Sequence, residues 1–178
     1  MNRILFIGRF QPLHLGHLSI MKQAVDNCDE LIIAIGSSEN AYEDINPFSS
    51  SERFEMILEV LKTETFPLEK IHIIPIHDIG DDKAWVKHVQ SLTPEFNEVY
   101  SGKNEGYEYI RKLFEDAGVK VKVLENTLDI DASSIREKIK NNNDSWKEML
   151  HSNTVEYIQS IDGVKRIQKI KTHGVKRT

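Results

Sequence analysis

The sequence has 178 residues, 39% hydrophobic and 29% charged, with a formal net charge of −5 at pH 7. This length fits one domain with a proper core, and the acidic balance argues against nucleic acid as a partner, because nucleic-acid-binding proteins generally present a basic face. The single cysteine excludes an internal disulfide, and the sequence has neither a cleavable signal pattern nor an apolar run of about 18 residues, so we expect a cytoplasmic protein with no membrane partner.

The N-terminal stretch predicts a strand, a loop and a helix in succession. Residues 4–7 are consecutive apolar residues that end at Gly8, a pattern typical of a buried strand that breaks into a turn. Apolar residues then recur at helical spacing at Leu18, Met21, Val25 and Cys28. We therefore expect Cys28 to be a core residue on the apolar face of this helix.

The loop at residues 8–17, GRFQPLHLGH, combines residue types that suit a phosphate. Gly8 and Gly16 let the backbone approach a ligand closely, and the Arg9 guanidinium can fork onto phosphate oxygens. His14 and His17 are three residues apart at the helix start, where unpaired N–H groups and the positive dipole end favour an anion. Structural histidines and metal ligands are the alternatives, although a metal site needs a third protein ligand.

The rest of the chain alternates strand and helix patterns. Strands are predicted at residues 31–35, 71–75, 99–100 and 119–123. A capping box at Ser49 and Glu52 opens the second helix. Its buried face is assigned to Phe54, Ile57, Leu58 and Leu61. Five β-α repeats predict an α/β fold, a doubly wound, Rossmann-like parallel sheet with helices on both faces, in one domain over residues 1–178.

Ligands in such sheets bind beyond the carboxyl ends of the strands. Small or polar residues lie at the predicted strand ends: Gly8 and Arg9, Gly36 and Ser37, His77 and Asp78, Ser101 and Gly102, and the stretch after Leu124. The motifs GxxxxGK[ST] and GxGxxG are absent from the sequence, which disfavours a P-loop kinase and a typical dinucleotide dehydrogenase.

A second polar segment, DASSIR, occupies residues 131–136 at a predicted helix start. Ser133 and Ser134 can cap the helix and donate to a phosphate, and Arg136 can fork onto phosphate oxygens. From this segment alone, a plain N-cap followed by a surface arginine is the alternative. Its position after the last predicted strand, in the same chain as residues 8–17, favours a shared phosphate site.

Residues 8–17 resemble the (H/T)xGH signature of the nucleotidyltransferase superfamily, in the longer form G-R-[FM]-Q-P-x-H-x-G-H. That form is similar to the archaeal-type nicotinamide mononucleotide (NMN) adenylyltransferases, which join NMN to the AMP part of ATP. Residues 131–136 resemble the superfamily's late S-x-[ST]-x-x-R element, with Asp131 where the family usually has serine. An acid at that position would repel a triphosphate unless Mg²⁺ intervenes or the side chain turns away.

The resemblance implies a set of site residues. Catalytic roles fall on His14, His17, Arg9 and Arg136; ATP binding falls on Gly8, Phe10, Gln11, Gly16, Ser133 and Ser134; substrate binding falls on Gly36, Ser37, Asp78, Ile79 and Trp85. In the family, an acid and a tryptophan seven positions later hold the nicotinamide ring, as Asp78 and Trp85 are spaced here. A core position is the alternative for Trp85. Mg²⁺ is expected to come with ATP, with no metal site of the protein's own, and we expect a homo-oligomer.

The reaction implied is a direct in-line attack of the NMN phosphate on the ATP α-phosphate, which gives NAD⁺ and diphosphate. Because that phosphate is already an anionic nucleophile, no strong general base is required. The alternatives are a related enzyme of the pantetheine-phosphate, FMN or cytidylyl type, and a non-catalytic nucleotide sensor. Intact His14, His17 and Arg136 disfavour the sensor, and the pair of Asp78 and Trp85 disfavours pantetheine phosphate.

Residues 152–178 are predicted to be a C-terminal helical extension. After Asp162 the chain has no acid and several basic residues: Lys165, Arg166, Lys169, Lys171, Lys176 and Arg177. We expect a helix with Val164, Ile167 and Ile170 packed inward and a solvated basic face, in preference to a polyphosphate or nucleic-acid site.

Overall fold

The computed structural model describes residues 1–103, 107–124, 128 and 130–170. The strands are β1 (Arg3–Gly8), β2 (Glu30–Ile35), β3 (Ile71–Pro75), β4 (Glu98–Gly102) and β5 (Lys120–Leu124). The helices are α1 (Leu15–Val25), α2 (Ser50–Thr63), α3 (Asp82–Leu92), α4 (Glu108–Asp116), α5 (Ala132–Lys140), α6 (Ser152–Ser160) and α7 (Gly163–Lys169). Short 3₁₀ turns occupy Leu68–Lys70 and Asp144–Met149. In the part of the chain so described, no helix is both long and apolar enough to cross a membrane.

The strands form one parallel sheet in the order β3-β2-β1-β4-β5, which confirms the predicted fold class. The chain moves outward from β1 to β2 and β3, then returns to the other side of β1 for β4 and β5. The strand order therefore reverses between β1 and β4, and this switch point is where sheets of this kind open a crevice for ligands. Its walls are the loops that follow the strand ends.

Two apolar cores cover the two faces of the sheet, because successive side chains of a strand point to opposite faces. On one face Ile4 and Phe6 pack with residues of α1, α2, α5, α6 and α7. On the other face Leu5 and Ile7 pack with residues of α3 and α4. The central strands are buried on both sides, as their near-continuous apolar runs predict.

The C-terminal helices are part of the first core. Ile158 of α6 and Ile167 of α7 are buried, and α6 packs on α2 while α7 packs on α5. Gly163 begins α7, and a Cβ there would lie 2.9 Å from both the Ile158 carbonyl oxygen and the Phe48 ring. Only glycine therefore allows α7 to pack this closely. Residues 171–178, with Lys171, Lys176 and Arg177, lie outside the described residues.

The basic face of α7 is not solvated throughout, and this corrects the expectation for Arg166. Its Nη1 and Nη2 atoms donate to the two carboxylate oxygens of Glu52 at 2.7 and 2.8 Å, and Nη1 also donates to the Pro47 carbonyl at 3.1 Å. A bidentate pair of this kind is stronger than an ordinary surface ion pair. Because Glu52 completes the capping box of α2 with Ser49, Arg166 fixes the start of α2 to α7.

The end of α1 and the buried face of α2 also differ from expectation. The helix α1 ends at Val25, so Cys28 lies in the turn before β2 and is half-buried rather than on the helix. The buried face of α2 begins one residue earlier than assigned. It consists of Arg53, Met56, Ile57, Val60 and Leu61. Because Arg53 is charged, the apolar pattern did not include it, and its position on the buried face was not predicted.

Candidate active site

A cavity of about 970 Å³ lies beyond the carboxyl ends of the strands. The predicted site residues in its wall are Gly8, Arg9, Phe10, Gln11, His14, His17, Gly36, Ser37, Asp78, Trp85, Ser133 and Arg136. Asp131 also lies in the wall, and residues that the sequence did not single out complete it, among them Asp81, Asp82, Lys103, Tyr107 and Tyr109. The segments that follow β1, β2 and β3 thus meet the starts of α4 and α5 around one space.

Three predicted residues do not line this cavity. Gly16 is buried in the first turn of α1, and the exposed side chain of Ile79 lies outside the wall. Ser134 contributes its backbone N–H, which donates to Asp131 Oδ1 at 2.9 Å. Asp131 is therefore the N-cap of α5, so one of its oxygens is directed to the helix, although the residue still belongs to the cavity wall.

The two histidines cap the first turn of α1 together. His14 Nδ1 accepts from the His17 N–H at 3.3 Å, and His17 Nδ1 accepts from the His14 N–H at 3.2 Å, so imidazoles take the place of the usual serine and glutamate of a capping box. The rings stack with their centroids 3.6 Å apart. Because both Nδ1 atoms accept, the hydrogen-bond network assigns the proton of each neutral ring to Nε2, which is free to donate.

Burial keeps both rings neutral. Desolvation lowers the pKa of His14 to about 4, although the Asp131 charge opposes the shift. Desolvation, reinforced by His14, lowers the pKa of His17 well below its usual range. The pair therefore offers neutral N–H donors at neutral pH rather than the positive charge of an imidazolium.

This burial predicts a pH dependence of stability. The folded-state pKa of His14 is about 4 and the unfolded value is 6.5, so its contribution is fully present above pH 6.5 and is lost as the pH falls toward 4. Between pH 7 and pH 5, protonation of His14 in the unfolded chain should lower the free energy of unfolding by about 2 kcal/mol. Urea unfolding at both pH values measures the drop. In His14→Asn, which keeps a capping acceptor but cannot titrate, the drop should be smaller by that amount; an equal drop would contradict the assignment.

Two arginines, Arg9 and Arg136, line the cavity and contribute positive charge to it. Arg136 is buried, and it donates from Nη1 to the Gln11 carbonyl at 2.8 Å and from Nη2 to Ser133 Oγ at 3.2 Å. Desolvation and then the Arg9 charge lower its pKa to about 10, so it stays protonated at neutral pH. The exposed Arg9 side chain forms no hydrogen bond or ion pair with a described residue. Two guanidinium groups are thus available to an anion here.

Arg53 does not line the cavity but supports the loops that do, and sequence reasoning missed it. It is fully buried, and it donates to the carbonyl oxygens of Gly36 at 2.7 Å, Arg9 at 2.9 Å and Ser37 at 3.1 Å, while its Nε donates to the Ser49 carbonyl at 3.2 Å. Burial lowers its pKa to about 10, so the charge remains. Arg53 therefore holds the ends of β1 and β2 in place and adds positive potential beneath them.

Phe10 and Gln11 contribute to the cavity mainly as structural residues. The Gln11 amide donates to the Phe48 carbonyl at 2.8 Å and accepts from the Phe48 N–H at 2.9 Å, so both ends of the side chain are occupied. The buried Phe10 ring packs edge-on against His17, with their centroids 4.8 Å apart. Both residues fix the loop between β1 and α1, and thereby the position of the two histidines.

The predicted acceptor side of the site combines core and cavity contacts. Ser37 Oγ donates to Asp78 Oδ2 at 2.7 Å, which joins the ends of β2 and β3. Trp85 is 7% exposed and packs edge-to-face on Phe114, with ring centroids 5.7 Å apart, yet it also lines the cavity. The two roles proposed for this tryptophan are therefore compatible, because one part of the side chain lies in the core while another faces the cavity.

Comparisons with known proteins show which family the chain is similar to. The cytidylyltransferase-like family matches residues 5–138. A nicotinamide-nucleotide adenylyltransferase of Methanococcus aeolicus is 41% identical over 94% of this chain and 94% of its own length. One of Saccharolobus solfataricus is 37% identical over 96% of this chain and 97% of its own length.

A solved structure gives the same result for the fold. The bifunctional NMN adenylyltransferase/ADP ribose pyrophosphatase of Francisella tularensis superposes with a TM-score of 0.78 at 27% identity over 94% of this chain. This chain spans about half of that protein, 51% of its length. Together with the archaeal relatives, the family match shows that the chain belongs to the cytidylyltransferase-like family and, within it, to the archaeal nicotinamide-nucleotide adenylyltransferases.

Proposed function

We propose that this protein transfers the AMP part of ATP to the phosphate of NMN and releases diphosphate. The observation that carries the proposal is the cavity at the switch point, where two neutral imidazole donors lie beside two guanidinium groups available to an anion. Such a site suits phosphate groups, and the names of the archaeal relatives supply the two substrates. Together they favour adenylyl transfer over a plain nucleotide sensor.

In this proposal the protein works by positioning and by stabilising charge. One NMN phosphate oxygen attacks the α-phosphorus of ATP in line, and the bond from that phosphorus to the diphosphate oxygen breaks. His14 and His17 donate from Nε2 to the α-phosphate, whose equatorial oxygens gain charge in the transition state. Arg9 and Arg136 hold the diphosphate part as it leaves. No covalent intermediate with the protein is needed.

Mg²⁺ is also part of the proposal. Among the described residues, no group of three His, Cys, Asp or Glu side chains is placed to hold a metal ion. In the proposal the ion arrives on the ATP triphosphate and keeps several waters, as Mg²⁺ usually does. Bound in that way, it would neutralise charge on the departing diphosphate. Asp131 lies in the cavity wall with His14, and its second carboxylate oxygen, the one that does not cap α5, would face that ion.

The test of the proposed function is diphosphate release from ATP with a panel of acceptors. NMN should support turnover, while phosphopantetheine and FMN should not, and replacing ATP by CTP should abolish the reaction. EDTA should stop turnover and added Mg²⁺ should restore it. Turnover with phosphopantetheine or FMN but not with NMN would contradict the proposal. We also propose that the protein self-associates and that it is located in the cytoplasm. Light scattering measures the first property, and cell fractionation measures the second.

A further inference from the structure

Tyr107 presents a hydroxyl group to the cavity. It lines the wall and is the N-cap residue of α4, but its side chain does not cap that helix. The hydroxyl has no hydrogen-bond partner among the described residues, and it is not one of the atoms there that are sealed from solvent without a partner. It is therefore open to the cavity and free to bind a ligand.

The ring of Tyr107 is held on two sides. It lies edge-on to the His17 ring, with centroids 6.4 Å apart and an interplanar angle of 82°. It also packs on Gly102 at the end of β4, where a Cβ would lie 3.1 Å from the Cε2 atom of the ring. Because glycine lets the half-buried ring come this close to the strand, the hydroxyl has a defined position before any ligand binds.

Two other donors share this part of the cavity. The Arg9 guanidinium lies near enough for its charge to act on the phenol, and His17 has an Nε2–H that is free to donate, since its Nδ1 accepts from the His14 N–H. Burial raises the pKa of Tyr107 well above its usual value, although the Arg9 charge opposes the shift. The phenol is therefore protonated at neutral pH and can donate as well.

A phosphate fits these three donors better than a sugar hydroxyl does. Phosphate oxygens carry negative charge and accept from several donors at once, whereas a sugar hydroxyl is neutral and presents a single oxygen. A hydrogen bond from a phenol to a charged oxygen is also stronger than one between two neutral groups. The hydroxyl is therefore suited to the phosphate chain of a nucleotide.

We infer that the Tyr107 hydroxyl donates a hydrogen bond to the diphosphate part of ATP, beside Arg9, and so helps to bind the group that leaves. The inference rests on the proposed function, which assigns that diphosphate to Arg9 and Arg136. It adds a binding residue from a third segment of the chain. Because Arg9 follows β1 and Tyr107 follows β4, the diphosphate is held from both sides of the switch point.

The experiment uses Tyr107→Phe, which removes the hydroxyl and keeps the ring. Calorimetric titration with inorganic diphosphate and Mg²⁺ should show an affinity about tenfold lower than that of the parent, the value of one hydrogen bond to a charged group. The KM for ATP should rise by a similar factor. The KM for NMN and the melting temperature should stay at the parent values, since the ring contacts with His17 and Gly102 remain.

Two further variants separate the hydroxyl from the ring. Tyr107→Leu removes both, so it should weaken diphosphate at least as much and should also lower kcat, because His17 loses its contact with the ring. Tyr157→Phe is the matched control. Tyr157 is a half-buried tyrosine of α6 outside the cavity wall, and its replacement should change neither diphosphate affinity nor turnover.

Two results would overturn the inference. If Tyr107→Phe binds diphosphate as the parent does while Tyr107→Leu loses kcat, the residue acts only through its ring. If Tyr107→Phe raises the KM for NMN and not that for ATP, the hydroxyl binds the acceptor instead.

The same measurements keep this inference apart from the proposed function. If the parent turns over NMN and Tyr107→Phe has the diphosphate affinity of the parent, only the inference fails. If the parent gives no turnover with NMN but Tyr107→Phe still binds diphosphate tenfold more weakly, the proposed function fails and the phosphate contact stands. A parent that binds no diphosphate would contradict both.

Discussion

The His17→Gln variant is expected to lower kcat by about 10² to 10³, the usual loss for one preorganised donor in an active site. Its fold should remain close to that of the parent. Glutamine at the third position of a capping box accepts from the N-cap N–H, as His17 Nδ1 does at 3.2 Å. The change therefore preserves the start of α1 while it removes the Nε2–H donor. Diphosphate release and the melting temperature, measured on the same preparation, separate the two effects.

A second imidazole N-cap supplies the control. His151 caps α6 as His14 caps α1, with its Nδ1 accepting from the Asn153 N–H at 3.2 Å, but it does not line the cavity. His151→Asn should leave kcat within about twofold of the parent, since it removes an imidazole far from any phosphate. A near-normal kcat in folded His17→Gln, or an equal loss in both variants, would exclude the assigned role.

The Arg53→Met variant is expected to lose about 3–5 kcal/mol of unfolding free energy, the largest stability change we predict. Methionine fills much of the volume but donates no side-chain hydrogen bond, so the carbonyl oxygens of Arg9, Gly36, Ser37 and Ser49 lose the guanidinium, and of these four Ser49 keeps the backbone N–H of residue 53 as a donor. Urea denaturation followed by circular dichroism measures the loss. The fraction that remains folded should also show a lower kcat, because the ends of β1 and β2 lose their common support.

Arg111→Met is the comparison for Arg53. Arg111 is less buried and donates from Nη1 to one carbonyl, that of Gly102, at 2.7 Å. Its replacement should cost about 1 kcal/mol, the ordinary net value of one hydrogen bond. A loss for Arg53→Met no larger than this would mean that water or neighbouring groups satisfy the four carbonyls. The structural importance assigned to Arg53 would then be wrong.

Local patterns in the sequence predicted the fold well. The apolar run at residues 4–7, the glycine at its end and the capping box at Ser49 are all signals that act over a few residues, and the structure places β1, the turn and α2 where they indicate. Parallel pairing followed from the alternation of strands and helices. The loop of residues 8–17 was equally visible as a candidate site, because GRFQPLHLGH is one continuous segment, and most of its predicted site residues line the cavity.

Contacts between distant segments were not predictable in this way. The Gln11 amide bonds to the backbone of Phe48, 37 residues away, and nothing near Gln11 in the sequence indicates that partner. Its assignment to ATP stays a prediction. Arg53 was missed because a charged residue on an apolar helix stripe reads as an exposed position. A buried arginine at such a position is recognisable only when the carbonyls around it are known. Mutual capping by His14 and His17 was likewise hidden, since imidazoles seldom take both places of a capping box.

The contact between Arg166 and Glu52 also has a consequence for where this domain can be divided. The family match ends at residue 138, yet α7 holds the first turn of α2 through Arg166. The residue after Glu52 is Arg53, which holds the loops that follow β1 and β2. If the chain were cut after residue 138 and joined there to another domain, it would keep the sheet and the segments 8–17 and 131–136. It would lose α7, which anchors α2. In a multidomain arrangement the working boundary of the catalytic unit lies beyond Lys169, where α7 ends.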